Sequence, residues 1–177
     1  MGVITVSPRR APSSDHDWPG RRAAVVPVSE CSSEEVLESL RSRCCVIDAV
    51  VFAGCEPVEQ PGLADAMAEV RDMGYLVGLH TAGAHPHRLA AVLPLLDWVG
   101  IDVAAANVNV WTSLELIMNS GVDYEVRLPV DPAVDTREGI LAKAREVIRR
   151  GAHAPVLTGR AMYEVIHHDD LPDLERR

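Results

Sequence analysis

Short apolar runs alternate with amphipathic segments along most of the chain. The apolar runs predict six strands, at 23–28, 46–52, 75–79, 97–103, 124–130 and 154–158. The amphipathic segments predict helices at 32–43, 61–73, 86–96, 111–119 and 136–150. The run at 46–52 is apolar at nearly every position, which is typical of a parallel strand buried on both faces. Strand–helix units joined by short loops predict an α/β fold with a parallel sheet of about six strands.

Two arrangements fit this pattern, an open doubly wound sheet and a partly closed barrel, and the periodicity alone does not choose between them. Both place a functional site at the carboxyl ends of the strands. Polar side chains follow three successive predicted strands at this position, namely Glu56, His80 and Asp102. We therefore expect them to lie on one rim of the sheet.

Composition and charge narrow the class of protein. The 177 residues are 47% apolar, enough for one domain, and we expect a loose lead-in at 1–17, the domain at 18–165 and a solvated tail at 166–177. The net charge is −9, without the basic stripe that nucleic-acid binding requires. No apolar run reaches the roughly 18 residues of a membrane span, and residues 1–20 lack the apolar core of a secretory signal, so we expect no such signal there. The expected location is the cytoplasm, with neither nucleic acid nor membrane as a partner.

The sequence pattern does not assign a single chemical role to the cysteines and histidines. In the cytosol, Cys31, Cys44 and Cys45 are thiols, metal ligands or core residues. Cys55 precedes a helix, where the helix dipole can lower a thiol pKa, but a lone cysteine is more often a small apolar filler. The histidines at 80, 85 and 87 match the number of protein ligands of a catalytic zinc site, which is about three. Two of them flank a proline at a helix start, away from the third, so no metal ligand is predicted.

Three short motifs occur in order along the chain: Asp-Trp-Pro-Gly at 17–20, Phe-Ala-Gly-Cys-Glu-Pro at 52–57 and His-Thr-Ala-Gly at 80–83. Together with Asp102 they resemble the radical S-adenosylmethionine (SAM) superfamily, in particular the activating proteins of anaerobic ribonucleoside-triphosphate reductase. The resemblance covers about 17–160. It implies a partial (βα)6 barrel, SAM and a [4Fe–4S] cluster as cofactors, and anaerobic ribonucleotide reductase as partner. It also implies an oxidoreductase that generates a glycyl radical, with cofactor-binding residues Gly54, Cys55, Glu56, Pro57, His80, Thr81 and Asp102.

The chain departs from that family at three places. The C-x-x-x-C-x-x-C loop is missing, because the first strand passes from Val26 directly to 27–30. Cys55 stands where the family has its second glycine, and Ala104 where it has a lysine. Three thiolates normally hold the cluster, so we expect impaired activity and assign no catalytic residue. The alternatives are a non-catalytic degenerate homologue that acts as a binding or regulatory module, and a truncated gene product.

Glu56 itself has two interpretations. As a family residue it would hold the amino group of SAM, and as a structural residue it would be a loop carboxylate before Pro57. Its position at a strand end favours the ligand interpretation.

Overall fold

The architecture is α/β, as the sequence pattern predicts. The computed structural model describes residues 4–5, 18–30, 40, 47–104, 108–131, 133–159 and 162–165. Its strands are β1 (Ile4–Thr5), β2 (Ala23–Pro27), β3 (Ser29–Glu30), β4 (Ala49–Ala53), β5 (Leu76–Thr81), β6 (Trp98–Asp102), β7 (Asp123–Pro129), β8 (Val156–Gly159) and β9 (Met162–Val165). Its α-helices are α1 (Leu63–Asp72), α2 (Pro86–Val92), α3 (Val110–Ser120) and α4 (Arg137–Arg149). Short 3-10 helices cover Pro57–Glu59 and Leu93–Leu95.

The strand order identifies a partial barrel. The main sheet runs β2-β4-β5-β6-β7-β8-β9, with parallel pairing from β2 to β8 and antiparallel pairing of β9. Each parallel strand thus lies beside the next one in the chain. A doubly wound sheet would reverse its order at a switch point, whereas sequential order is that of a (βα) barrel. Six parallel strands curl into a half-barrel, which confirms the predicted partial (βα)6 barrel.

The helices follow from local sequence signals. Thr136 caps α4, and its hydroxyl accepts a hydrogen bond from the backbone N–H of Gly139 at 3.2 Å. A proline begins α2, and Gly121 ends α3 with φ of 79°. The predicted helix at 32–43 lies outside the described residues except for Leu40, which is helical and buried.

The sheet has two different faces. The main core packs the helices against one face, with Met67, Leu89, Leu114 and Val147 fully buried. A smaller cluster occupies the other face and contains Trp18, Ala23, Ala49, Val51 and Trp98. In a (βα) barrel the helices are outside, so this second face is the concave one.

Two strand glycines make room on the concave face. A Cβ atom on Gly78 would lie 3.0 Å from Trp18 and from Val51. One on Gly100 would lie 2.5 Å from Nδ1 of His80 and 2.8 Å from Trp98. The missing side chains let Trp18 stack on Trp98, with ring centroids 5.4 Å apart. The sheet face therefore carries a layer of rings in place of a second layer of helices.

The remaining predictions of organisation are tested only in part. None of the helices in the described ranges is both long and apolar enough to cross a membrane. The predicted lead-in and tail lie outside those ranges, apart from β1, which pairs with β3. Strand β9 was not predicted, and it adds an antiparallel edge to the parallel sheet. The domain bounds of 18–165 stay a prediction.

Candidate functional site

Glu56 and Thr81 are joined directly, across the carboxyl ends of β4 and β5. The Thr81 hydroxyl donates to Oε1 of Glu56 at 2.7 Å, and the backbone N–H of Ala84 donates to Oε2 at 3.4 Å. Both side chains are buried. The same Thr81 hydroxyl accepts a hydrogen bond from the N–H of Gly83 at 3.0 Å. The Glu56 carboxylate therefore holds the loop that follows β5, which supports its structural interpretation.

The loop after β5 is also held from helix α3. The Ser113 hydroxyl, fully buried, donates to the carbonyl of Gly83 at 2.8 Å. The side-chain amide of Asn109 donates to the carbonyl of Ala84 at 2.9 Å. A loop fixed from β4 and from α3 gives the rim a rigid wall.

The other predicted residues after β4 lie beside this wall. Gly54 and Cys55 are exposed, and Pro57 is buried at the start of a 3-10 helix. A Cβ atom on Gly54 would lie 2.9 Å from the carbonyl oxygen of Val28, so the glycine is needed for close backbone packing. Cys55 is a free thiol. These positions lie at the rim, and their proposed role in cofactor binding stays a prediction.

A charged cluster forms where β5, β6 and β7 end. Nη1 of Arg127 lies 2.7 Å from Nδ1 of His80, so this ring nitrogen accepts the hydrogen bond, because a guanidinium can only donate. Nε of Arg127 lies 3.5 Å from Oδ1 of Asp102. The rings of His80 and Trp98 meet edge to face, with centroids 5.2 Å apart. His80, Asp102 and Arg127 are called the rim cluster below.

Hydrogen bonding in the rim cluster is incomplete. Among the described residues, neither Oδ1 of Asp102 nor Nε of Arg127 has a hydrogen-bond partner, although both atoms are buried. Their side chains are 37% and 19% exposed, so the pair stands at the edge of the concave face. Burial raises the pKa of Asp102; the guanidinium of Arg127 opposes this shift, and the carboxylate of Glu56 adds to it. The cluster can bind a charged group and can hold or release a proton at Asp102.

Sequence reasoning missed Arg127, although a signal for it exists. Polar residues alternate with apolar ones along β7 at Asp123, Glu125 and Arg127. A parallel strand covered on both faces would be apolar throughout. The alternation therefore indicates that one face of β7 is open, and the register of Asp102 with Arg127 brings their side chains together.

The histidines and cysteines form no metal site in the part of the chain that the structure describes. No group of three His, Cys, Asp or Glu residues there is arranged to hold a metal ion. His85 contacts the carboxylate of Glu59, and His87 is exposed on α2. Cys31, Cys44 and Cys45 lie outside the described residues.

Comparisons with known proteins assign this chain to no family. No family model matches the chain, and no curated protein matches it. Among solved structures, the fold is similar to that of 3-dehydroquinate dehydratase from Enterococcus faecalis, with a TM-score of 0.45 and 16% sequence identity. The match covers 72% of this chain and 62% of that enzyme, so the chain spans less than two thirds of its length.

These findings correct the assignment to the radical SAM superfamily. Neither the family models nor the curated proteins give a match that supports it. The predicted function as an activating protein of anaerobic ribonucleoside-triphosphate reductase is therefore wrong, as are the radical SAM and iron–sulfur descriptions. The physical reason is local: the motif residues Glu56 and Thr81 bind each other, and the cluster loop is missing.

Proposed function

We propose that the protein binds a small zwitterionic molecule, with an ammonium and a carboxylate group, at the rim cluster. The observation that carries this proposal is the pairing of Asp102 with Arg127, whose facing buried atoms make no hydrogen bond among the described residues. An unsatisfied buried polar group costs about 1–3 kcal/mol. A ligand reaches this imperfect pair through the exposed parts of its side chains, 37% at Asp102 and 19% at Arg127.

The charges of the rim set the orientation of the ligand. The guanidinium of Arg127 matches a carboxylate, which it can bind through two parallel hydrogen bonds. The carboxylate of Asp102 matches an ammonium group, and the nearby Glu56 carboxylate strengthens the negative potential there. The cluster sits at the carboxyl ends of parallel strands, where (βα) proteins place their ligands. A molecule with only one of the two charges would leave one partner unmatched.

Binding should depend on pH through Asp102. Burial raises the pKa of Asp102, so this carboxyl group keeps its proton to a higher pH than an exposed one does. An ammonium group beside it favours the ionised form. We expect binding to release a proton and to weaken as the pH falls towards the pKa of Asp102.

The test is titration calorimetry with a panel of small molecules. The panel contains glycine, alanine and methionine, their singly charged relatives methylamine and acetate, and S-adenosylmethionine, whose methionyl part carries both groups. We expect the zwitterions to bind more tightly than either singly charged relative. The panel thereby also tests whether S-adenosylmethionine binds, as the sequence led us to expect.

Variants locate the site. Arg127→Gln and Asp102→Asn should each weaken binding about tenfold or more, since a charge-assisted hydrogen bond contributes about 1.5–3 kcal/mol. Arg149→Gln is the matched control, because Arg149 is an exposed arginine on α4 that pairs with Glu146. Equal binding by Arg127→Gln and the native protein would contradict the proposal.

The partner and the cellular location expected from the sequence stay predictions. The partnership with anaerobic ribonucleotide reductase rested only on the family resemblance. The cytoplasmic location is kept as part of this proposal and is checked by cell fractionation.

A further inference from the structure

A cavity of about 530 Å³ opens at the opposite ends of the strands, where β6, β7 and β8 begin. Pockets for small molecules usually measure about 300–1,000 Å³. Its walls include Trp98 at the start of β6, Asp123 at the start of β7 and His153 before β8. The rim cluster lies at the carboxyl ends of the strands, so the cavity is a separate candidate site.

Aromatic rings form much of the lining. Trp18 and Trp98 both line the cavity and stack at 5.4 Å with an angle of 16° between their planes. Tyr124 and His153 form a second stacked pair at 4.6 Å and 11°. The His153 backbone N–H also donates to the Tyr124 hydroxyl at 3.3 Å. The Trp18–Trp98 pair lies on the concave face, whereas Tyr124 packs against the main core on the helix face. The stacked tryptophans therefore supply the preorganised aromatic surface of the concave face, and preorganisation reduces the entropy lost when a ligand binds.

The charge of the lining is negative. Asp123 and Glu125 both line the cavity, and they lie opposite Trp98 and Gly100 in the register of β6 with β7. Partners in a parallel register project from the same face, so these carboxylates lie on the concave face with the Trp98 ring. Within the described part of the chain, the lining contains neither lysine nor arginine.

Aromatic faces and carboxylates together select one ligand chemistry. The negative face of an aromatic ring attracts a cation, and tryptophan does so most strongly. A carboxylate adds a direct attraction, and an anionic ligand would be repelled. Methylated ammonium groups fit such walls well, since they are cationic but covered by apolar methyl groups.

We propose that this cavity binds an organic cation with a quaternary or methylated ammonium group. The two carboxylates attract its charge and the tryptophan rings contact its methyl groups. The site differs from the rim cluster in position and in the chemistry it selects.

The experiment compares choline with 3,3-dimethylbutan-1-ol, which has the same shape without the charge. Tryptophan fluorescence reports binding, because two of the three tryptophans line the cavity. Trp111 stands apart beneath Arg150, and Trp111→Phe removes its background signal. For the native protein we expect a dissociation constant for choline of about 0.1–10 mM, with the alcohol at least about tenfold weaker.

Charge variants test the assignment within the cavity. Asp123→Asn combined with Glu125→Gln should weaken choline binding about tenfold, from the loss of two attractive carboxylates. Glu115→Gln is the matched control, because this exposed carboxylate pairs with Arg150 outside the cavity. Arg127→Gln should also leave choline binding unchanged, which separates this site from the rim cluster.

Each outcome of these experiments either supports or overturns the proposal. Choline binding that is weakened about tenfold in the double variant and kept in both controls supports the proposal. Equal affinity for choline and the neutral alcohol overturns it, as does the absence of a fluorescence response at concentrations of about 10 mM. Loss of choline binding in Arg127→Gln with retention in the double variant would also overturn it, since the cation would then bind at the rim.

Discussion

Replacing Gly100 by alanine tests the packing of the concave face. The backbone at Gly100 is ordinary strand, so the substitution is limited by space alone. The new Cβ atom would lie 2.5 Å from Nδ1 of His80 and 2.8 Å from Trp98. Both distances are well below van der Waals contact, so His80 must move, and with it the 2.7 Å contact to Arg127.

The expected cost combines two opposing effects. Overpacking a filled site usually costs about 1–3 kcal/mol. Restricting the unfolded chain by replacing glycine with alanine recovers about 0.4–1 kcal/mol. We therefore expect Gly100→Ala to lower the free energy of unfolding by roughly 1–2 kcal/mol, a fall in Tm of about 2–8 °C for a domain of this size.

Urea denaturation followed by circular dichroism measures this change. Gly139→Ala is the matched control, since its Cβ atom would meet only the Thr136 hydroxyl, at 3.3 Å, and alanine is the better helix residue by about 0.5–1 kcal/mol. We expect this control to be neutral or stabilising. If Gly100→Ala is as stable as the native protein, then His80 and Trp98 do not occupy the concave face as described, and the argument for the rim cluster fails.

Three further predictions concern carboxylates. Glu56→Gln should lower the free energy of unfolding by about 1–3 kcal/mol, because a buried charged acceptor of the Thr81 hydroxyl is lost. Chemical denaturation measures this change, and an unchanged midpoint would argue against a role of Glu56 in holding the loop. Asp102→Asn should raise Tm at neutral pH and lose this advantage in acid, because the native pKa of Asp102 is raised and its ionised form is the less stable one; a lower Tm at pH 7 would contradict this. The pKa of Glu146 is lowered from 4.5 to about 2, chiefly by hydrogen bonds from Arg149 and then Arg150, so its stabilisation is present above pH 4.5 and is lost as the pH falls towards 2. The group is partly exposed, so Glu146→Gln should cost about 1 kcal/mol or less at pH 7, and the cost should vanish as the pH falls through about 2, which melting curves across this range would check.

The sequence predicted the regular elements well because their signals are local. Residues 61–73 were expected as a helix and α1 covers Leu63–Asp72; residues 136–150 were expected and α4 covers Arg137–Arg149. Strand β9 was missed, since a four-residue edge strand contains too few positions to show a period. The order of strands was open because periodicity does not report which strands are neighbours.

The rim cluster was only partly predictable. His80 and Asp102 follow from their position at strand ends, which depends on the fold class alone. Arg127 lies within β7, and its contact with them depends on the register between β6 and β7. The ring layer of Trp18 and Trp98 depends on glycines in the neighbouring strands β5 and β6, and nothing local in the sequence links such positions.

The structure also explains why the motifs suggested a family that the comparisons do not support. In the sequence, the Gly-Cys-Glu-Pro and His-Thr-Ala-Gly segments are two separate matches, each at its own strand end. In the fold they are one contact, because the Thr81 hydroxyl donates to Glu56 at 2.7 Å and the Ala84 N–H adds a second bond to the same carboxylate. A carboxylate after one strand that holds the loop after the next is useful to any (βα) protein, whatever it binds. The two motifs therefore count once, as evidence for a well-held loop, and the chemistry of the site must be sought at Asp102 and Arg127.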